Sequence, residues 1–379
     1  MENKIHIVAF ACPVPADYGG IIDVFAKIKT LHFLGVKIYL HYFDAFEKEV
    51  SSMIPYCEQI YFYRRKPLWQ SVFSLLPVIV HSRRSNKLLK RLGQDAYPIL
   101  MEGMHCSYYI CHPAIRHKIK VIRAHNVEHE YYYGLYKSET NWAKKFFFYL
   151  ESLKLKRYES KRFGGIFIAP VSIEDEVFFK NIYGANHVRI APSLHLFEAC
   201  TPPVLIADFV LYHGNLSVIE NSQAAEFLIK KVLPTTNCRL LIAGKNPTPH
   251  LINLCTTEGI ELIVNPSDEL LSQLICTAKA NLLYTHQPTG IKLKLLHVLL
   301  KNKSIITNDL MLKGTKFENK ITAYNTPNEM QNALFLLSQN QLKSCDKAAV
   351  DEVLNTHYNN KKNGGIILEM LLTEIQKNY

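Results

Sequence analysis

The sequence predicts an α/β protein of two doubly wound parallel sheets, and three observations point that way. Short apolar runs alternate with helical patterns almost from end to end, the signature of parallel βα units. The 379 residues suit two domains at roughly 100–200 residues each. An apolar fraction of 48% with 20% charged residues excludes disorder and fibrous repeats. In the first half, strand-like runs fall at 4–10, 37–43, 59–63, 98–102, 120–125 and 165–169. Helical patterns occupy 21–34, 86–92, 141–162 and 173–180, the third with an apolar stripe among dense Lys and Glu. The stretch 191–208 carries Pro192, Pro202 and Pro203 without a clear period and reads as a linker. It separates an N-terminal domain over 1–190 from a second over 209–362. There the strand-like runs are 209–213, 239–243, 261–264, 281–285, 304–307 and 321–324. Helical patterns lie at 219–232, 249–257, 268–278, 292–301 and 328–338. The tail from 341 is helical with a break near 363–365, leaving 363–379 as a separate C-terminal helix. Such sheets keep a ligand crevice at the carboxyl ends of their strands.

Composition narrows the function classes. Residues 1–190 hold 27 Lys and Arg against 17 Asp and Glu, a balance of +10 that leaves +1 for the rest of the total +11. That asymmetry implies an anionic partner for the first half: a lipid surface, a phosphorylated substrate or nucleic acid. No apolar run approaches the ~18 residues of a spanning helix, and the N-terminus has no signal-peptide layout. Nine cysteines without a CxxC pair fit neither a zinc knuckle nor a disulfide scaffold, and read as reduced core cysteines of a cytoplasmic chain.

Several segments carry groups suited to chemistry. Gly19 and Gly20 follow the first strand and open the first helix, where a bare backbone and the helix N-terminus favour an anion. The dinucleotide fingerprint GxGxxG is absent, which argues against NAD. Arg123-Ala-His-Asn-Val-Glu-His129 ends a strand, offering His125 and Glu128 as donors, acceptors and titratable groups. His125 and His129 are spaced for zinc, but without the HExxH order or a nearby third ligand. Histidines packing a helix start are the structural alternative. Gly214-Asn215 and Gly244-Lys245 close the first two strands of the second domain. Thr289, Gly290, Ile291 and Lys292 open a helix whose N–H groups and ammonium suit a diphosphate. From Arg64 to Gln94 there are eight basic residues and no acidic one. Arg64, Arg65, Lys66, Arg83 and Arg84, with Trp69, suit an anionic bilayer at about 1 kcal/mol per basic residue. No helix-turn-helix, RNP or zinc-finger pattern supports nucleic acid instead.

Taken together, RAHNVEHEYY at 123–132, VSIED at 171–175, HGNLSVIEN at 213–221, LLIAGKNP at 240–247 and TGIKLKLL at 289–296 resemble the GT-B glycosyltransferases. The likeness is strongest to family-four retaining enzymes of the TGIKLK subgroup, and it runs over almost the whole chain. It implies two Rossmann-like domains facing across a cleft, with the C-terminal helix crossing back to the first. The first domain would bind the acceptor and the second a nucleotide diphosphate sugar. It implies a hexosyltransferase-like, retaining enzyme of polysaccharide biosynthesis that needs no cofactor or metal, the metal-binding DxD motif being absent. His125 matches the position near the reaction centre. Gly19, Gly20, Gly214, Asn215, Lys245, Thr289, Gly290, Ile291, Lys292 and His297 match the donor side. A lipid-linked or surface glycan acceptor and a cytoplasmic enzyme at the inner face of the membrane follow.

One position departs from the family. Two glutamates usually stand where this chain has Thr289 and His297, and the second binds the ribose hydroxyls. A carboxylate accepts two hydroxyl hydrogen bonds and a neutral imidazole one, a difference worth roughly 1.5–3 kcal/mol of donor binding. The rival expectation is therefore a catalytically degenerate GT-B protein serving as a binding or scaffold subunit.

Overall fold

A computed structural model describes residues 3–16, 18–160, 166–197, 206–286, 292–301, 304–343 and 345–373. The chain divides into two compact units. One runs to Leu196 and regains the chain from Tyr358 onward; the other is built from described residues between Phe197 and His357.

The first unit forms β1 (Lys4–Ala9), α1 (Gly19–Phe33), β2 (Lys37–Asp44), β3 (Gln59–Arg64), α2 (Val78–His81), α3 (Asn86–Leu92), β4 (Ile99–Glu102), β5 (Lys120–Ala124), α4 (Glu128–Ser138), α5 (Trp142–Glu159), β6 (Phe167–Pro170) and α6 (Ile173–Tyr183). Its sheet runs β3-β2-β1-β4-β5-β6, parallel throughout. The order reverses between β1 and β4, and such a switch point opens a crevice at the carboxyl ends. The strands bury nearly continuous apolar runs, as a sheet covered on both faces requires.

The second unit forms β7 (Ala207–Asn215), α7 (Ile219–Phe227), β8 (Leu240–Lys245), α8 (Pro249–Thr257), β9 (Glu261–Val264), α9 (Asp268–Thr277), β10 (Ala278–Leu283), α10 (Leu293–Leu300), β11 (Ile305–Thr307), α11 (Asp309–Leu312), α12 (Pro327–Ser338) and α13 (Lys347–His357). Its parallel sheet runs β11-β10-β7-β8-β9, with the switch between β7 and β10. Caps agree with the sequence: Thr248, Ser267 and Thr326 each accept a first-turn N–H, and Thr326 with Glu329 completes a capping box. The helical pattern at 219–232 becomes α7 followed by a π-helical turn, Leu228–Val232.

The final helix, α14 (Asn360–Leu372), returns to the first unit and packs on α1. The expected break at 363–365 does not occur. The Asn359 side chain caps the helix through the Lys362 N–H at 3.0 Å, and the two glycines are helical. A Cβ on Gly364 would fall 2.6 Å from Thr30 Cγ2, so glycine is what lets the helices approach. The second domain accordingly ends before 362. At the other boundary, residues 191–196 belong to the first unit, because carbonyls of Ala191 and Pro192 accept from Arg123. The strand expected at 321–324 is also absent. Ala323 bridges to Thr307 on one side and Ile321 to Cys345 on the other, so no ladder forms. Among the described cysteines, Cys12, Cys106, Cys255 and Cys276 are buried, whereas Cys111 and Cys345 are exposed.

Candidate functional site

In the first unit the chemistry gathers at the carboxyl ends of β1, β4 and β5. His125 directly follows β5 and is buried. Its Nε2 lies 3.2 Å from Glu102 Oε2, on the last residue of β4. An ionised carboxylate only accepts, so Nε2 carries a ring proton toward Glu102. Nδ1 has no hydrogen-bond partner, and Asp23 Oδ2 lies 3.8 Å away. Phe10 presents its ring edge-on to His125, with centroids 5.8 Å apart. Gly20, in the first turn of α1, packs against that same ring, so the glycine pair and His125 do converge.

Beneath them is a charge cluster that the sequence reading missed. Lys27 donates to Asp23 at 2.9 Å and to both Glu102 oxygens at 2.7 and 2.8 Å. Arg123 grips Asp23 from the other side through Nε and Nη2, each at 3.2 Å. All four side chains are wholly buried. Burial alone would raise the Asp23 carboxyl, but Arg123 and Lys27 reverse this and hold it well below the carboxylate range. Glu102 is likewise lowered against its own burial, chiefly by Lys27 and the His125 bond. Two carboxylates thus face the Lys27 ammonium and the Arg123 guanidinium, with His125 beside them. Oxygen and nitrogen donors of Asp23, Glu102 and His125 lie within 4.8 Å of one another. Their carboxylates already embrace the Lys27 ammonium, which a divalent ion would have to displace. The available signal was Asp23 and Lys27 at i, i+4 on the face of α1 that otherwise buries Ile21, Val24, Ile28 and Leu31.

Glu128 lies apart, in another group. It opens α4, an element absent from the sequence expectations because its tyrosine-rich residues lack an apolar stripe. Its N–H donates to Glu159 Oε1 at 2.9 Å, and the second Glu159 oxygen binds His129 Nδ1. This accounts for His129 as a helix-start packing residue. Burial, then the Glu159 charge, push the Glu128 carboxyl up to about 8, so it is neutral at pH 7. It lines a cavity with Met104, Ile122, Asn126 and Phe179 that holds about one water molecule.

Arg83 requires a correction. Arg64, Arg65 and Lys66 are exposed and Arg84 half-buried, but Arg83 is buried. Its Nε donates to Phe10 O at 2.7 Å and its Nη1 to Ile79 O at 2.8 Å. It ties the α2 segment to the end of β1 and offers no surface charge. Trp69 is exposed, as expected.

The second unit assembles its own set around the β7/β10 switch. Gly214-Asn215 end β7 in register with Gly244-Lys245 on β8. A Cβ on Gly244 would fall 2.2 Å from Gly214 O, so that glycine serves strand packing. Asn221 of α7 donates to Asn215 O at 2.9 Å and accepts from Lys294 Nζ at 3.2 Å. Lys294 also lies over the Tyr212 ring, 5.4 Å from its centroid. Burial lowers the Lys294 ammonium to about 7, with Lys292 adding to the effect and Glu220 opposing it. Burial likewise lowers Lys292 to about 8 against the pull of Glu220. Lys292, Lys294, Glu220 and Asn221 thus converge where α10 begins. Sequence reading named Lys292 and missed the other three, although Lys294 sits in the same TGIKLK run. Lys245 instead reaches Asp268 at 3.5 Å and makes no contact with this group among the described residues. Thr289, Gly290 and Ile291 lie outside the described residues.

His297, one turn along α10, stacks on Phe197 with centroids 4.2 Å apart and planes 5° from parallel. Its ring meets His213 edge-on at 6.3 Å. His213 is buried at the end of β7, and burial holds its imidazole well below the ordinary value. Its Nε2 has no hydrogen-bond partner.

Comparison with known proteins follows the same lines. No family model matches the chain. An uncharacterised 44.6 kDa protein in the cps region of Klebsiella pneumoniae is 26% identical over 340 residues, covering 82% of this chain and 84% of that protein. A glycosyltransferase from Rickettsia africae superposes with a TM-score of 0.65 at 14% identity, covering 100% of both chains. Anabaena HepE, in complex with UDP and glucose, gives 0.64 at 12% identity over 97% of this chain and 99% of that one. S. aureus TarM, in complex with fondaparinux, α-GlcNAc-glycerol and UDP, gives 0.66 at 9% identity over 98% and 100%. The fold of this chain is that of the GT-B glycosyltransferases.

Proposed function

We propose that the chain is a glycosyltransferase that moves a sugar from a nucleotide diphosphate sugar to an acceptor hydroxyl during assembly of a lipid-linked or surface polysaccharide. The observation that carries this reading is the pair Lys292 and Lys294 at the start of α10, beside the end of β7. A diphosphate there would receive two ammonium groups and the helix N-terminus, and would restore the lysine charge that burial disfavours. Stabilising the departing diphosphate in this way is the electrostatic part of the catalysis, and the rest is positioning. On the first unit, His125 would steady the transferred sugar or the acceptor. Glu102 fixes the ring for that task, and Lys27 and Asp23 fix Glu102. Retention of configuration and independence of metal rest on the family resemblance. The UDP bound in HepE and TarM and the cps location of the Klebsiella relative support the donor and pathway class.

A donor screen with UDP-, GDP- and ADP-sugars tests the proposal. Lys292→Ala and Lys294→Ala are each expected to cut transfer about a hundredfold. Transfer unchanged in both variants would remove the diphosphate assignment.

His297 favours a second reading, a catalytically degenerate binding or scaffold subunit without transfer. A ring stacked on Phe197 stands where the resemblance expects a ribose-binding carboxylate. Thermal-shift titration with UDP, GDP and ADP separates the two, since a pure scaffold shows no response. Activity that emerges only in His297→Glu supports the degenerate form.

A further inference from the structure

Helix α5 is amphipathic in the inverted sense. Its inward face buries Glu151, Ser152, Leu155, Tyr158 and Glu159. Glu151 accepts the Val78 N–H at 2.6 Å, and Glu159 accepts the Glu128 N–H at 2.9 Å. The outward face carries Trp142, Phe146, Leu150 and Leu153 at helical spacing, 81, 59, 40 and 49% exposed. A helix of a water-soluble domain turns its apolar stripe the other way. The neighbouring segment repeats the pattern, with Leu68, Trp69, Phe73 and Leu75 exposed by 58, 70, 94 and 96%. The two stretches touch: Lys154 Nζ donates to Val72 O at 3.2 Å. The chain has two tryptophans, one exposed in each of these stretches. The solvent-accessible charges of this face are mostly basic, Glu139 just before α5 being an acidic exception. No acidic residue occurs from 64 to 94, and both glutamates of α5 are turned inward, while Arg64, Arg65, Lys66, Lys144, Lys156 and Arg157 are exposed.

We propose that this face of the first unit lies in the headgroup layer of an anionic lipid bilayer, with α5 parallel to the membrane. Amphipathic tryptophans prefer that layer, apolar side chains reach the acyl boundary, and surrounding cations meet lipid phosphates. A second copy of the chain is a poorer occupant, because a twofold contact would set the same cations against each other. The surface differs from the sequence-expected patch in two ways: Arg83 leaves it, and α5 supplies half of it. The inference rests on this surface alone and does not depend on sugar transfer.

The two tryptophans report the event directly. The full chain is titrated with phosphatidylcholine vesicles containing about 30 mol% phosphatidylglycerol, following tryptophan emission and co-sedimentation. A blue shift with binding, weakened at high salt and by omission of phosphatidylglycerol, is the expected result. Trp142→Ser with Phe146→Ser keeps Trp69 as reporter, and Trp69→Ser with Phe73→Ser keeps Trp142. Each pair is expected to lower partitioning about tenfold or more, with melting temperature and nucleotide response unchanged. Solvent-like emission with no co-sedimentation would overturn the proposal. So would equal binding to both vesicle types, or a blue shift that follows protein concentration without lipid as the chain dimerises.

Discussion

At the scale of single residues, the buried charges decide most. Lys27 sits wholly buried between two carboxylates, so Lys27→Met leaves Glu102 without its main counter-charge and Asp23 with Arg123 alone. Breaking such a pair costs about 3–5 kcal/mol, and calorimetry should show a melting temperature lower by roughly 10 °C. Asp23 and Glu102 have lowered values in the folded state. Their contribution is therefore full above the unfolded carboxylate range near pH 4 and lost as acid protonates them in the fold. Glu128 has the opposite sign. Its carboxyl, raised to about 8, binds a proton in the folded state that the unfolded chain releases, so it reduces stability as pH climbs from about 4.5 to 8. Glu128→Gln should stabilise the fold at pH 8 by something on the order of 1–3 kcal/mol, read as a higher melting temperature, and leave it unchanged at pH 4. If the carboxyl touched substrate, the same variant would abolish transfer; retained transfer is the expected result.

Elements show what the sequence could and could not disclose. Parallel strands were legible because sheets covered on both faces demand unbroken apolar runs, and β1 through β11 lie where those runs lie. The α4 segment was not, since a helix opening with Glu128 and filled by tyrosines has no stripe to read. His125, Gly20 and Lys292 announced themselves by position at strand ends and helix starts. Glu102, Asp23 and Lys294 did not, because their roles come from neighbours distant in sequence, Glu102 and Lys27 being joined across 75 positions. The α10 lysines carry a prediction of their own. Burial has lowered them to about 8 and 7, so diphosphate binding should draw in protons and weaken as pH rises from about 7 to 9. Calorimetric titration in buffers of differing ionisation enthalpy measures that uptake, and a flat pH profile would contradict it. For α14, Gly364→Val thrusts a side chain into Thr30 and should cost about 1–3 kcal/mol by overpacking, read by urea denaturation.

Across the whole molecule, the proposed function divides labour by unit. It assigns nucleotide binding to the second, so hydrogen exchange with UDP should slow around 213–221 and 292–297 while β1 and β5 stay unchanged; protection spread evenly over both would refute that division. The first unit is not finished by its own leading residues. Asn360 clasps the His195 backbone through two hydrogen bonds, its Nδ2 to His195 O at 2.7 Å and its Oδ1 from the His195 N–H at 3.0 Å, and Ile367, Met370 and Leu371 of α14 belong to the first core. A nascent chain emerging from the ribosome therefore waits for the codons of α14 before its opening half can close. A premature stop near codon 359 would injure the amino-terminal half, and leave the later-made unit to fold unharmed.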